Sequence, residues 1–292
     1  MKIGLNGSVM DASEAVISVY DHGFLYGIGL FETFRTYNGK PYLLERHMKR
    51  LASGCEQLGI KYRANLAEIT LLVNKLLAVN GLEDGYVRLT VSAGEAELGL
   101  PSGDYERPNV LVLVKALPPI SDEARMSGRE LRLLEIRRNT PEGDIRFKSL
   151  HYMNNIMAKR ELMASGASSG AEGLMLSAEG WLTEGIVSNL FFVRNGVVHT
   201  PSIHTGILPG ITRERVLELS SASGYRTEEG LYRWEQLLEA EEIWLTNSIQ
   251  ELVPVTVLSD TNGQRFEVGC SAAGAVTRKL LSLYREATML DQ

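Results

Sequence analysis

The chain has 292 residues, 44% of them hydrophobic and 23% charged, which excludes a disordered or fibrous protein and leaves room for two modest domains. A formal net charge of −6 argues against nucleic acid as the main partner, because binding a phosphate backbone needs a basic face. Two cysteines, Cys55 and Cys270, and no apolar leader after Met1 point to the cytoplasm, and the longest aliphatic run, residues 110–114, is far too short to cross a membrane.

In chain order, residues 30–37 are β-prone, and Asn38-Gly39 turns them into 40–44, a strong hairpin signal. Met48, Leu51, Cys55 and Leu58 recur at helical spacing over 45–58, ended by Gly59. A second helix is expected over 66–79, stopped by Asn80-Gly81, and strands over 85–93 and 109–116. Leu117-Pro118-Pro119 breaks regular structure, so the expected division is a small N-terminal domain of 1–117, a linker of 118–122 and a larger domain of 123–292.

Beyond the linker the pattern predicts a strand over 131–136 and a helix over 150–163, with Leu150, Met153, Ile156, Met157 and Met163 on one side. Strands follow over 173–177, 181–184 and 186–194, and over 197–200 after the Asn195-Gly196 turn. Helices are expected over 212–223, ended by Gly224, and over 271–286. Strands ahead of helices make the second domain α+β with a barrel-like sheet, rather than doubly wound.

The five histidines never stand at ligand spacing with one another or with a cysteine, so no metal is expected. Gly23-Phe24-Leu25-Tyr26-Gly27-Ile28-Gly29 precedes a strand instead of following one, which fails the dinucleotide fingerprint. Leu208-Pro209-Gly210-Ile211-Thr212-Arg213 runs into a helix; it fits an anion site built from the first amides, and equally an ordinary N-cap by Thr212. Thr246-Asn247-Ser248 fits an anion site or a self-satisfied turn at a strand end, and Arg50 fits an anion site or a solvated cation.

Lys148 stands apart. Arg137, Arg138, Arg146 and Lys148 concentrate positive charge in one stretch of an acidic protein, at a loop-to-helix junction. A lysine among cations falls below its reference pKa of about 10.4, as an amine nucleophile requires. A basic surface loop would show the same residues.

Six segments in order resemble the fold-type IV pyridoxal 5'-phosphate (PLP) enzymes, the class-IV aminotransferase family. They are Asp21-His22-Gly23 through Gly29-Leu30-Phe31-Glu32, Glu45-Arg46-His47-Met48-Lys49-Arg50-Leu51, Lys148-Ser149-Leu150-His151-Tyr152, Thr183-Glu184-Gly185 through Phe191, Gly206 through Arg213, and Thr246-Asn247-Ser248 through Pro254. The resemblance implies the two-domain fold of that family, like the D-amino acid aminotransferases. It also implies Lys148 as the Schiff-base lysine and proton shuttle. Arg50, the backbone of Ile211 and Thr212, and Ser248 would hold the phosphate, Glu184 would face the pyridine nitrogen, and Tyr152 would approach the ring hydroxyl. A homodimer is implied by the same analogy.

Arg137-Arg138-Asn139-Thr140-Pro141-Glu142-Gly143 and Lys148-Ser149 with His151-Tyr152 look most like the aminodeoxychorismate lyase branch. That likeness implies conversion of 4-amino-4-deoxychorismate to 4-aminobenzoate and pyruvate, a step of folate precursor synthesis. The substrate carries two carboxylates, so Arg35, Arg88 and Arg138 are candidates to meet them, with Tyr26 as a wall or donor. Arg35 and Arg88 alternate on strands, where half of such positions face solvent. A D-amino acid or branched-chain aminotransferase would share every cofactor residue. A PLP carrier without turnover is the third reading, and the presence of both Lys148 and Glu184 counts against it.

Overall fold

The structure, a computed structural model, describes residues 1–119, 123 and 126–290. Pro118 and Pro119 lie in irregular chain, and residues 120–122 of the expected linker lie outside the described residues. The chain divides into two compact units, Met1–Pro118 with Phe147–His151, and Pro119–Arg146 with Tyr152–Leu290.

The first unit contains β1 (Lys2–Leu5), β2 (Ser8–Asp11), α1 (His22–Tyr26), β3 (Gly29–Tyr37), β4 (Lys40–Pro41), α2 (Leu44–Gln57), α3 (Leu66–Val79), β5 (Tyr86–Ser92) and β6 (Asn109–Lys115). Its six strands run in the order β2-β1-β6-β5-β3-β4, with antiparallel pairing. Alternation along β5 is clean: Val87, Leu89 and Val91 are buried, whereas Tyr86, Arg88 and Thr90 on the other face are half-exposed. The buried face packs on α2 and α3 through Leu51, Val73 and Leu76, each such side chain contributing about 1.5–3 kcal/mol. Asn6-Gly7, with Asn6 at φ 49° and Gly7 at φ 80°, makes the β1–β2 hairpin, the left-handed geometry an Asn-Gly pair supplies.

The segment Phe147–His151, inside the expected 123–292 domain, groups with the first unit because its backbone docks on β3. Phe31 N–H donates to the Lys148 carbonyl at 2.9 Å, Leu150 N–H donates to the Gly29 carbonyl at 3.0 Å, and Leu30 bridges Ser149. These bonds hold Leu150 in extended chain, so the helix expected from 150 starts later, at Met153.

The second unit contains β7 (Arg129–Leu133), α4 (Met153–Ala164), β8 (Glu172–Leu176), β9 (Leu182–Gly185), β10 (Asn189–Arg194), β11 (Val197–Pro201), α5 (Ile211–Ala222), β12 (Thr227–Gly230), α6 (Trp234–Leu238), β13 (Glu242–Asn247), β14 (Glu251–Ser259), β15 (Arg265–Glu267) and α7 (Ala275–Leu290). The sheet runs β12-β11-β10-β13-β14-β7-β8-β9, and β9 returns to pair with β10. Strands β10, β13, β14, β7, β8 and β9 thus close into a ring, the barrel-like sheet expected from the sequence. Leu131, Leu174, Leu190, Ile243, Leu245 and Val255 are among the residues of its apolar core. The ring closes through one residue pair, Glu184 opposite Asn189.

Candidate active site

In the first unit, the amine of Lys148 stands 4.7 Å from the centre of the Phe31 ring. The guanidinium of Arg88 lies 3.6 Å from the centre of the same ring, and its Nε donates to Thr90 Oγ1 at 3.3 Å. Register sets Thr33 opposite Arg88 and Arg35 opposite Tyr86, so Phe31, Thr33, Arg35 and Arg88 share the sheet face that α2 and α3 leave uncovered. Arg35 lies over Tyr37, 4.3 Å from the ring centre. Tyr26 is at the end of α1, where its hydroxyl accepts from Gly99 N–H at 3.0 Å and its carbonyl pairs with His151 Nε2 at 3.0 Å.

On the helix side of the sheet, Arg50 meets a buried acid. Its Nε donates to Glu32 Oε1 at 2.7 Å and its Nη2 to Glu32 Oε2 at 2.6 Å, the two-pronged geometry suited to a guanidinium. His47, one turn earlier on α2, shares Glu32 Oε2 at 2.6 Å through Nδ1. Burial raises the Glu32 carboxyl, but Arg50 and His47 outweigh it and hold it at about 2. Burial pushes His47 below the ordinary imidazole range, so the ring is a neutral donor to the carboxylate.

In the second unit, Glu184 is buried and both of its oxygens are engaged. Oε1 accepts from Arg138 Nε at 2.8 Å, with Arg146 Nε at 4.0 Å; Oε2 accepts from Leu208 N–H at 3.0 Å and Asn189 Nδ2 at 3.2 Å. The same Asn189 amide donates to the Leu208 carbonyl at 2.9 Å, so one residue ties the acid to the turn ahead of α5. Arg146 braces that turn by donating from Nε to the Gly206 carbonyl at 2.5 Å. Burial and the Arg138 charge pull Arg146 down to about 10 against the opposing pull of Glu184.

Helix α5 is capped by Gly210, with no side-chain cap bond, so of the two readings of this segment the N-cap by Thr212 falls away. Thr212 lies inside the first turn and its Oγ1 meets Ser248 Oγ at 3.2 Å. Ile211 and Thr212 are buried, and a Cβ on Gly210 would come within 2.0 Å of Asn189 Oδ1, which restricts that position to glycine. Asn247 satisfies the turn after β13, its Oδ1 accepting from Ile249 N–H at 3.0 Å and Gln250 N–H at 2.8 Å. Thr246, opposite Asn189, has a buried Oγ1 with no hydrogen-bond partner among the described residues. Tyr152 occupies the residue ahead of α4 and is half-buried.

The structure therefore groups Thr212 with Ser248, and Glu184 with the turn that leads to them. Arg138 has its Nε on Glu184 and its Nη1 on Asn154 Oδ1 at 2.8 Å and Asn139 Oδ1 at 3.1 Å, and it is buried. Those bonds make Arg138 a holder of Glu184, a role beside the expected one of meeting a substrate carboxylate. Glu32, His47 and Asn189 were given no role from sequence. Glu32 carried a signal, since a charged residue falls at a core-face position of β3 beside Phe34.

The class-IV aminotransferase model matches residues 29–258. The chain belongs to the class-IV aminotransferase family. It is 42% identical over 286 residues to the aminodeoxychorismate lyase of Bacillus subtilis (strain 168), covering 97% of this chain and 94% of that one. It is 29% identical to the D-alanine aminotransferase of Bacillus licheniformis, covering 100% and 98%. Among solved structures, the branched-chain aminotransferase of the archaeon Thermoproteus uzoniensis with norvaline superposes with a TM-score of 0.85 at 27% identity, covering 99% of this chain and 95% of that one.

The cofactor of this family is PLP, and another solved branched-chain amino acid aminotransferase of this fold holds pyridoxamine 5'-phosphate. The residues present fit the three demands of PLP. A side-chain-free Gly210, first-turn amides, two facing hydroxyls and the unpartnered Thr246 Oγ1 suit a phosphate. A carboxylate held by an arginine suits a pyridine nitrogen, and a half-buried primary amine suits an aldehyde.

Proposed function

We propose that this class-IV family member is a PLP-dependent lyase that converts 4-amino-4-deoxychorismate to 4-aminobenzoate and pyruvate, in folate precursor synthesis. The observation that carries this reading is the cationic sheet face. Arg88 and Lys148 stand against one ring, with Arg35 diagonal to Arg88 across the β3–β5 register. Cross-strand diagonal neighbours are about 7–8 Å apart, a spacing suited to a small dicarboxylate. The greater likeness to the Bacillus subtilis lyase than to the Bacillus licheniformis aminotransferase points the same way.

The phosphate falls to Arg50, the amides of Ile211 and Thr212, and Ser248. The pyridine nitrogen falls to Glu184, which Arg138 and Asn189 orient, and the ring hydroxyl to Tyr152. When bound, PLP supplies an aldehyde that engages the substrate amine and a ring that withdraws electrons from the adjacent carbon. Lys148 takes the proton from C4, and the ammonium so formed holds it for return as the enolpyruvyl group leaves. Aromatisation drives the step forward, so the chain's own residues chiefly orient and exclude alternatives.

Exposed apolar side chains support a homodimer. Val16, Phe24, Leu98 and Leu100 are 67–96% exposed in the first unit, and Met153, Ile156, Met157 and Met163 form an exposed stripe on α4. Among the described residues no helix is long and apolar enough to cross a membrane, and we place the work in the cytoplasm.

Purified enzyme tests the reading. Formation of 4-aminobenzoate without any keto acid supports the lyase, and turnover of alanine or leucine only with a keto acid refutes it. Arg88→Ala is expected to raise KM for aminodeoxychorismate about tenfold or more with a smaller change in kcat, the signature of lost ground-state binding. An unchanged KM removes Arg88 from the substrate site.

A further inference from the structure

Glu32 and His47 form a deeply buried cluster behind Arg50 on the helix side of the first unit's sheet. Glu32 is 1% exposed and His47 is 1% exposed, whereas the Arg50 side chain they hold reaches 18% exposure. Glu32 takes one edge of the Arg50 fork through two charge-assisted bonds of 2.7 and 2.6 Å. His47 Nδ1 steadies the same carboxylate from the side at 2.6 Å.

The three residues are fixed by two elements that sequence already ties together. Glu32 lies on β3, next to the Phe31 amide that holds the Lys148 carbonyl at 2.9 Å. His47 and Arg50 are one turn apart on α2, so both project from the same helical face. The charged groups that face His47 are Glu32 from β3, Arg50 from α2 and Lys148 from the docked segment; burial first, then the two cations, pull the ring below the ordinary imidazole range against the opposing pull of Glu32. A neutral imidazole can donate to Glu32 without cancelling the charge that Arg50 needs.

We propose that Glu32 and His47 are positioning residues that preset Arg50 for the cofactor phosphate, so that their loss weakens phosphate recognition and leaves the remainder of cofactor binding in place. The inference rests on the assignment of Arg50 to the phosphate. A free arginine side chain loses rotamer freedom when it binds, and a fork already clamped on one edge has lost it beforehand. Removing the clamp therefore lowers affinity for the phosphorylated ligand by about tenfold, the factor for immobilising one long side chain.

The test compares PLP with pyridoxal, which lacks the phosphate, by titrating the full chain stripped of cofactor. The readout is the ratio of the two Kd values. Arg50→Ala lowers the preference for PLP if Arg50 serves the phosphate; an unchanged ratio sinks that assignment and this inference with it. Given a response to Arg50→Ala, Glu32→Gln is expected to lower the preference about tenfold, with no further loss in the double variant. A wild-type ratio in Glu32→Gln, or equal weakening of PLP and pyridoxal, overturns the proposal. Should Glu32→Gln fail to fold, the histidine carries the same test: His47→Asn, which keeps a donor, retains the preference, and His47→Leu loses it. Equal ratios in those two variants also overturn it.

Discussion

Lys148→Ala is expected to lower 4-aminobenzoate formation by about 10³-fold or more, because it removes the amine that both engages the cofactor and moves the C4 proton. The fold is expected to survive. What docks this segment is backbone: the Lys148 carbonyl accepts from Phe31 N–H, and Leu150 N–H donates to the Gly29 carbonyl. Alanine keeps both bonds. Steady-state rates measured beside circular dichroism separate the two effects, and added ethylamine is expected to restore part of the lost rate. A variant that keeps more than a tenth of wild-type turnover would remove Lys148 from the chemistry.

Glu184→Gln carries the second large effect. Each Glu184 oxygen accepts: Oε1 from Arg138, Oε2 from Leu208 N–H and Asn189 Nδ2. An amide offers one acceptor and one donor, so either orientation sets an N–H against an existing donor. The Arg138 charge also loses its counter-ion in a buried setting, for which breaking a pair costs about 3–5 kcal/mol. Turnover is expected to fall about 10²-fold or more through loss of the carboxylate at the pyridine nitrogen, and the denaturant midpoint to drop with it. Wild-type activity together with a lowered midpoint would make Glu184 purely structural.

Local signals in the sequence were strong where periodicity and turn chemistry act alone. The helix over 66–79 is found at Leu66–Val79, because its apolar spacing, the Asn65 cap and the Asn80-Gly81 stop all lie within it or directly beside it. The Asn38-Gly39 and Asn195-Gly196 turns are where expected, and the same signal at Asn6-Gly7 marks a hairpin that sequence reasoning passed over. Failures cluster where distant backbone decides. Leu150 is pulled out of its helix by Gly29, and the last helix begins at Ala275 rather than 271. Its start is set by Glu242 on β13, whose carboxylate accepts from Val276 N–H at 3.0 Å and Thr277 N–H at 2.8 Å.

The site divides the same way. Lys148, Glu184, Thr212 and Ser248 stand out as motif positions, but the partners that orient them come from remote chain. Asn189 reaches Glu184 only because β9 and β10 close the ring, and Arg138 reaches it over a separation of 46 residues. Charge matching alone makes Arg138 a candidate for the substrate; its burial and its bond to Glu184 come from the fold and carry no local signal.

The most direct measurement is borohydride reduction of the PLP-loaded enzyme followed by tryptic mapping. The account predicts one pyridoxyl group, on Lys148, within the peptide of residues 147–159 that follows Arg146. A pyridoxyl group on another lysine, or on none, contradicts it.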